Sequence, residues 1–290
     1  MAATLWHSQN FIGNPSLVSK LLGMTDINSS DFVIEIGPGK GAITGQLVRS
    51  AGSVLAIEAD LNLANKLNIQ NVKVIQGDFL KHALPDQVYK VVANIPFNLT
   101  AEIIRKLFLS DENKPEAAFL IMQNEAAQKF AGVPKATLSS ILIQVEYDTR
   151  ILTKIDKGEF VPTSKVDAAF ISFIKRGQPL VNRTYSREFA DFVAYGYKYF
   201  RWNEPLISVF DRLFTNSQKE NLEKKFQLTG QKVSDLEVFK WIGLFNDLVD
   251  QVATEKWDIF RGTMEKLTEE QSRLQKRHKT QTNLGKTNKS

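Results

Sequence analysis

Asn94, Ile95, Pro96 and Phe97 close an apolar run, Val91-Val92-Ala93, with an amide, a residue lacking an N–H and a large aromatic between them. These residue types suit the task of gripping a planar amine. The exocyclic amine of adenine is a poor nucleophile because its lone pair is delocalised into the ring. Two acceptors placed on its hydrogens pull the nitrogen toward tetrahedral geometry and localise that pair. The Asn94 side-chain oxygen supplies one acceptor and the Ile95 carbonyl the other. Pro96 fixes φ and removes a competing donor. Phe97 offers a face for the base, a contact worth ~1–3 kcal/mol. No strong general base is required, since an alkylated ammonium product sheds its proton readily. The work is positioning plus electrostatic help, and a base in folded RNA must first be extruded to receive it. Taken alone, the four residues also fit an ordinary Asn-x-Pro turn at a strand end.

A second constellation lies upstream. The segment Phe32–Ile36 runs into Gly37-Pro38-Gly39-Lys40-Gly41-Ala42, where glycines let a ligand approach the backbone and the following helix presents free N–H groups. Glu58 ends the next strand and can accept both hydroxyl hydrogens of a ribose. Asp78 and Phe79 end the third, where a carboxylate and an aromatic suit an adenine ring. The pattern satisfies a dinucleotide fingerprint as well. A nicotinamide enzyme, an S-adenosylmethionine enzyme and a plain packing turn therefore all remain open on these residues. Glu35, two residues before Gly37, leans toward S-adenosylmethionine, since it can fix the turn or face the donor's amino group.

The elements that must position these residues alternate. Strands are expected at 32–36, 53–58, 72–76, 89–93, 117–122, 141–147 and 167–174, with helices over 42–49, 61–67 and 101–108, the last capped by Thr100. This is the pattern of a doubly wound, mostly parallel α/β sheet of seven strands. Asn94 then ends the fourth strand beside the glycine turn, in the expected ligand crevice. Past Arg176-Gly177-Gln178-Pro179 the alternation stops. Helices are expected at 186–201, 205–215, 217–227, 234–249 and 251–277, giving an α/β domain over 1–177 and a smaller all-helical domain over 178–290.

The motifs together resemble those of the rRNA adenine-N6 methyltransferases, over nearly the whole chain. SQNF (8–11), EIGPGKG (35–41), NIPF (94–97) and FVPTSKVD (160–167) match that family's motifs in order. The resemblance implies a class I methyltransferase sheet and S-adenosylmethionine as donor. It implies donor contacts from Asn10, Ile12, Gly37, Gly39, Glu58, Asp78, Phe79 and Asn94. It implies a base held by Asn94 and Phe97, with Phe160 on its other side. Two departures stand out: Phe97 where many relatives carry Tyr, and Ser164 where Pro is usual. Within the family, NIPF, the exit FIKRGQPLV (173–181) and the helical LEVFKWIGLF (236–245) look more like the macrolide-resistance (Erm) enzymes acting on 23S rRNA than the biogenesis dimethylases acting on 16S rRNA. A scaffold that keeps the fold without catalysis is the rival reading. Intact Gly37, Glu58 and Asn94 argue against it.

Bulk properties agree with an rRNA partner. The chain of 290 residues carries a net charge of +5 and a pI near 9.2, a modest lean toward polyanions. It has no cysteine and only three scattered histidines, so no metal is expected. No apolar run or leader-like segment points to a membrane or to secretion, so a cytoplasmic monomer is expected. FADFVAYGYKYFRW (189–202) reads chiefly as a buried helix, with Phe189, Phe192, Val193, Tyr199 and Phe200 inward and Lys198, Arg201 and Trp202 outward. The basic end after Gly262 is either a solvated tail or a phosphate-binding one.

Overall fold

The computed structural model describes residues 10–110, 112–270 and 273. The chain runs through β1 (Phe11–Ile12), α1 (Pro15–Leu22), β2 (Phe32–Ile36), α2 (Thr44–Ser50), β3 (Ser53–Glu58) and α3 (Leu61–Lys66). Then come β4 (Val72–Gln76), β5 (Lys90–Asn94), α4 (Thr100–Phe108), β6 (Ala117–Gln123) and α5 (Asn124–Ala131). Next are α6 (Leu138–Glu146), β7 (Tyr147–Ile155), β8 (Phe160–Val161) and β9 (Ala168–Lys175), before α7 (Ser186–Tyr199), α8 (Asn216–Phe226) and α9 (Val238–Gln251). Two compact units result: residues up to 134 with 146–178, and residues 135–145 with those from 179 onward.

The first unit is built on a seven-stranded sheet in the order β4-β3-β2-β5-β6-β9-β7. Strands β2 to β6 pair in parallel, and β9 alone runs antiparallel to its neighbours β6 and β7. Ile34, Val91 and Leu120, in the central strands, are fully buried, as strands covered on both faces require. The chain winds outward from β2 to β4, then crosses back to β5, so its direction of winding reverses between β2 and β5. Ligands of open α/β sheets bind at the carboxyl ends of strands at such a reversal. Gly37 and Asn94 are the residues that lie there.

Six of the seven expected strands stand where the spacing predicts. The run 141–147 does not: it is the body of α6, and the strand follows it as β7. A short apolar run is ambiguous in period between a strand and a buried helix. Local capping decides here. Thr137 Oγ1 accepts from Ser140 N at 3.1 Å, and Ser140 Oγ accepts from Thr137 N at 2.8 Å. Ile141 and Val145 then pack into the aromatic core of the second unit, so 135–145 leaves the first domain in which the sequence placed it. Thr100 is likewise not a cap but the first residue of α4, preceded by a 3-10 turn over Phe97–Leu99.

In the second unit α7 is buried through Phe189, Phe192, Val193 and Tyr195. Phe192 stacks on Phe210 at 5.0 Å and meets the edge of Trp241 at 5.9 Å. Tyr199, expected inward, is half exposed, whereas Lys198, expected outward, pairs with Glu270 at 2.7 Å. The expected helix 205–215 is only a 3-10 turn over Leu206–Phe210, because Thr215 takes an extended conformation to form a capping box with Gln218. Helix α9 begins at Val238 rather than 234, after a 3-10 turn over Val233–Asp235 in which Asp235 accepts from Lys232 N at 2.9 Å. The stretch 251–277 is broken at Gly262, whose φ is +73°. A new helix starts at 263, its first amides held by the buried Asp191, which accepts from Gly262 N and Met264 N at 2.9 Å. The tail beyond 273 and Ser8-Gln9 lie outside the described residues.

Candidate active site

The glycine turn leaves β2 with Gly37 N donating to Ile57 O at 2.9 Å. Gly37 and Gly39 have φ of +66° and +57°, the left-handed region that glycine occupies without penalty. A Cβ on Gly39 would stand 2.4 Å from the Phe11 ring, so this turn and the N-terminal strand are in close contact. A Cβ on Gly37 would meet nothing within 4 Å, so that residue borders open space. Glu58, fully buried at the end of β3, accepts from Gly39 N at 3.0 Å through Oε2 and from Asp60 N at 2.9 Å through Oε1. Its carboxylate thus braces the turn, which the sequence reading had not foreseen. A lone pair on each oxygen is left for a further donor.

Beside it, β5 is extended by one more hydrogen bond, Ile95 N to Ile121 O at 3.1 Å, and Ile95 is buried. Pro96 turns the chain out of the sheet with φ −58° and ψ 124°, and Leu99 N donates back to Pro96 O at 2.9 Å. The side chain of Asn94 donates from Nδ2 to Asn10 O at 2.7 Å. A carbonyl partner requires the amino end of the amide, so the Asn94 amide has one orientation and Oδ1 is its accepting end. Phe97 is half-buried and meets Phe160 edge-on, with ring centroids 6.3 Å apart at 76°. The order of amide, imino acid and aromatic is therefore a strand end held in register, an exit from the sheet, and a ring placed over the mouth.

Strands β1 and β8 form a two-stranded antiparallel pair, with Phe11 opposite Val161 and Ile12 opposite Phe160. This pair joins two motifs far apart in sequence, and the Phe160 ring brings a third, Phe97, against it. Three residues expected at the site have buried side chains. Ile12 and Phe160 are core residues, so Ile12 can meet a donor only through its backbone, and Phe160 backs Phe97 rather than walling the base. Phe79 is buried beneath Lys106 Nζ, 5.7 Å from its ring centre, and offers no open face to an adenine. Their aromatic or branched side chains are read equally well as core. Asp78 is half-exposed and caps a 3-10 turn, accepting from Leu80 N at 2.9 Å. Ser164, buried, secures its loop by donating to Val166 O at 2.8 Å.

One crevice gathers Asn10, Phe11, Gly37, Asn94, Ile95, Pro96 and Phe97. Gly39 and Glu58 stand behind it, while Asp78 and Phe79 follow β4, at the edge of the sheet. Phe11, within SQNF, has a place that residue type alone does not announce. It carries Lys40 Nζ 5.3 Å above its ring as well as the Gly39 contact. Under the turn, Glu35 Oε2 and Thr44 Oγ1 are buried without hydrogen-bond partners. Burial pushes the Glu35 carboxyl up to about 8; the nearby Thr44 hydroxyl and N–H pull it down, and Glu58 adds to the rise. Among the described residues no group of three or more His, Asp or Glu could hold a metal, and no helix is long and apolar enough to cross a membrane.

Residues 5–250 match the family described as "Ribosomal RNA adenine dimethylase". An rRNA adenine N-6-methyltransferase of Bacillus licheniformis is 29% identical over 256 residues, covering 86% of this chain and 88% of that protein. A Ribosomal RNA small subunit methyltransferase A of Streptococcus thermophilus is 35% identical over 191 residues, covering 60% and 65%. In fold, the crystal structure of the 23S rRNA methyltransferase ErmE superposes with a TM-score of 0.76 at 22% identity, over 83% of this chain and all of that one. A dimethyladenosine transferase from Plasmodium falciparum gives 0.66 at 20% identity, over 82% and 98%. A family match through both units, on a chain whose motifs meet in one crevice at the sheet's reversal, makes this protein a member of the ribosomal RNA adenine dimethylase family, an S-adenosylmethionine-dependent rRNA adenine-N6 methyltransferase.

Proposed function

We propose that this chain methylates N6 of one adenine of 23S rRNA and so confers resistance to macrolides, lincosamides and streptogramin B. The observation that carries the site assignment is the Asn94 amide, oriented by Asn10 O with its accepting oxygen left over, in the same crevice as Gly37 and Phe97. Asn94 Oδ1 and the Ile95 carbonyl take the two amine hydrogens of the extruded adenine. Phe97 stacks on the base, with Phe160 behind it. The crevice holds about 20 Å³, room for one water, so its walls open to admit the base.

The residues present fit the donor. Gly37 opens space where a side chain would stand, and the unpartnered Glu35 Oε2 and Thr44 Oγ1 lie behind the turn. In this reading Asn10, Gly37, Gly39, Glu58, Asp78 and Asn94 hold S-adenosylmethionine, with Ile12 and Phe79 contributing backbone. The donor supplies an electrophilic methyl carbon. The chain supplies alignment, a localised lone pair and exclusion of water. The first unit then carries both small-molecule sites, and the helical unit contacts rRNA in the cytoplasm.

The large-subunit reading rests on NIPF (94–97), FIKRGQPLV (173–181) and LEVFKWIGLF (236–245), which resemble the macrolide-resistance branch. Methylation of adjacent 16S adenines is the second reading, favoured by the higher identity, 33–35%, to those relatives. Reverse-transcription stops on rRNA from cells with and without the protein separate the two. One adenine in the large subunit supports the first; a neighbouring pair in the small subunit overturns it.

A further inference from the structure

A second cavity lies one strand over from Asn94, where β6 ends. It has a volume of about 390 Å³, and its walls come from residues 123–125 and from the loop 157–167. That loop also carries Phe160, which backs Phe97, so one loop serves both the cavity and the catalytic crevice. Asn124 N donates to Asp167 O at 3.0 Å and ties the two walls together. Asn124 Oδ1 is buried and has no partner, a state that calls for an explanation because buried polar atoms are ordinarily satisfied.

The chemistry of the walls is divided. Lys157 and Lys165 are exposed on the loop side, and neither ammonium is paired with a carboxylate among the described residues. Asn124, with its unpartnered Oδ1, and the exposed Glu125, with its carboxylate, line the other side. Asp167 Oδ1 is turned onto Lys157 N at 3.1 Å, which occupies that carboxylate locally. Cations facing acceptors match a nucleotide, which presents an anionic phosphate at one end and N–H donors on its base edge at the other.

We propose that this cavity binds the unpaired nucleotide next to the target adenine, with its phosphate on Lys157 and Lys165 and a base N–H on Asn124 Oδ1. The proposal rests on the rRNA methyltransferase reading and names a subsite of it. A base already held one step along the strand keeps the extruded adenine at Phe97, so the subsite acts on RNA binding and not on the donor.

The test is methyl transfer into stripped 23S and 16S rRNA across a salt series, using wild type, the Lys157→Ala/Lys165→Ala double variant and Asn124→Ala. Donor Kd is measured by calorimetry for each. The double variant is expected to raise KM for RNA about tenfold and to flatten the slope of log KM against log salt by about 1.4, the value for two phosphates on a single strand. Asn124→Ala is expected to raise KM about threefold or more with the salt slope unchanged. Donor Kd is expected to stay the same throughout. A double variant with the KM and salt slope of wild type overturns the subsite, as does an Asn124→Ala protein that loses donor affinity or kcat with KM intact. A wild type that transfers no methyl to either RNA is a different result and refutes the methyltransferase reading itself.

Discussion

Replacing Asn94 separates catalysis from binding. In Asn94→Ala the 2.7 Å bond to Asn10 O is lost. A net hydrogen bond of this kind is worth ~1 kcal/mol, which corresponds to a fall in Tm of roughly 2–4 °C for a chain of this size. One of the two acceptors on the adenine amine is lost as well. Removing a single preorganised polar group that acts in the transition state costs ~10²–10³ in kcat. RNA affinity changes little, because phosphate contacts and the Phe97 face remain, so Kd for RNA stays within about threefold. Asn94→Asp sharpens the argument. It retains an accepting oxygen but sets a carboxylate oxygen against Asn10 O where a donor now stands. It is expected to lose most of the same activity above neutral pH and to recover part of it as the carboxyl protonates on acidification. Single-turnover transfer of a tritiated methyl group reads the rate, and filter binding reads the RNA affinity. An Asn94→Ala enzyme with a single-turnover rate within threefold of wild type refutes the role given to this amide. So does a loss accounted for entirely by weaker RNA binding.

Phe97→Ala removes the stacking face and should raise KM for RNA about five- to 150-fold, from ~1–3 kcal/mol of lost stacking; Phe97→Tyr should retain activity, and steady-state kinetics on both checks this. Burial of the Glu35 carboxyl holds it neutral up to about pH 8 without donor. The folded state therefore keeps a proton that the unfolded chain releases above about pH 4.5. This costs the fold up to ~1.4 kcal/mol per pH unit as pH rises between those values. Thermal melts of Glu35→Gln should be flatter over that window than those of wild type; parallel curves would show that Glu35 is ionised. In the helical unit a Cβ on Gly196 would stand 2.2 Å from Trp241. Gly196→Ala should therefore destabilise by ~1–3 kcal/mol through overpacking, visible as a lower denaturation midpoint.

The sequence by itself determined everything local in period and chemistry. The apolar runs of β2, β3, β5, β6 and β9 can satisfy their backbones and bury both faces only in a covered sheet, so their places were legible. The glycine turn and the residues Asn94 to Phe97 were legible because few residues tolerate positive φ or fix φ without a donor. The buried face of α7 was legible as far as Val193; beyond it the helix nears its end and exposure follows neighbours, not spacing.

Tertiary structure decided what depends on partners distant in the chain. The run 141–147 has no period that tells helix from strand; a local cap at Thr137 starts the helix, and packing against residues far along the chain in the second unit holds it. The burial of Ile12, Phe79 and Phe160 was set by the neighbours that cover them, since an apolar side chain serves a ligand wall or a core equally well. The orientation of the Asn94 amide came from Asn10, and the brace on Gly39 came from Glu58, each across a sheet or a loop. Residue type announces which hydrogen bonds a group can make. Only the folded chain chooses among the partners, because the choice costs little locally and is fixed by what else must pack around it.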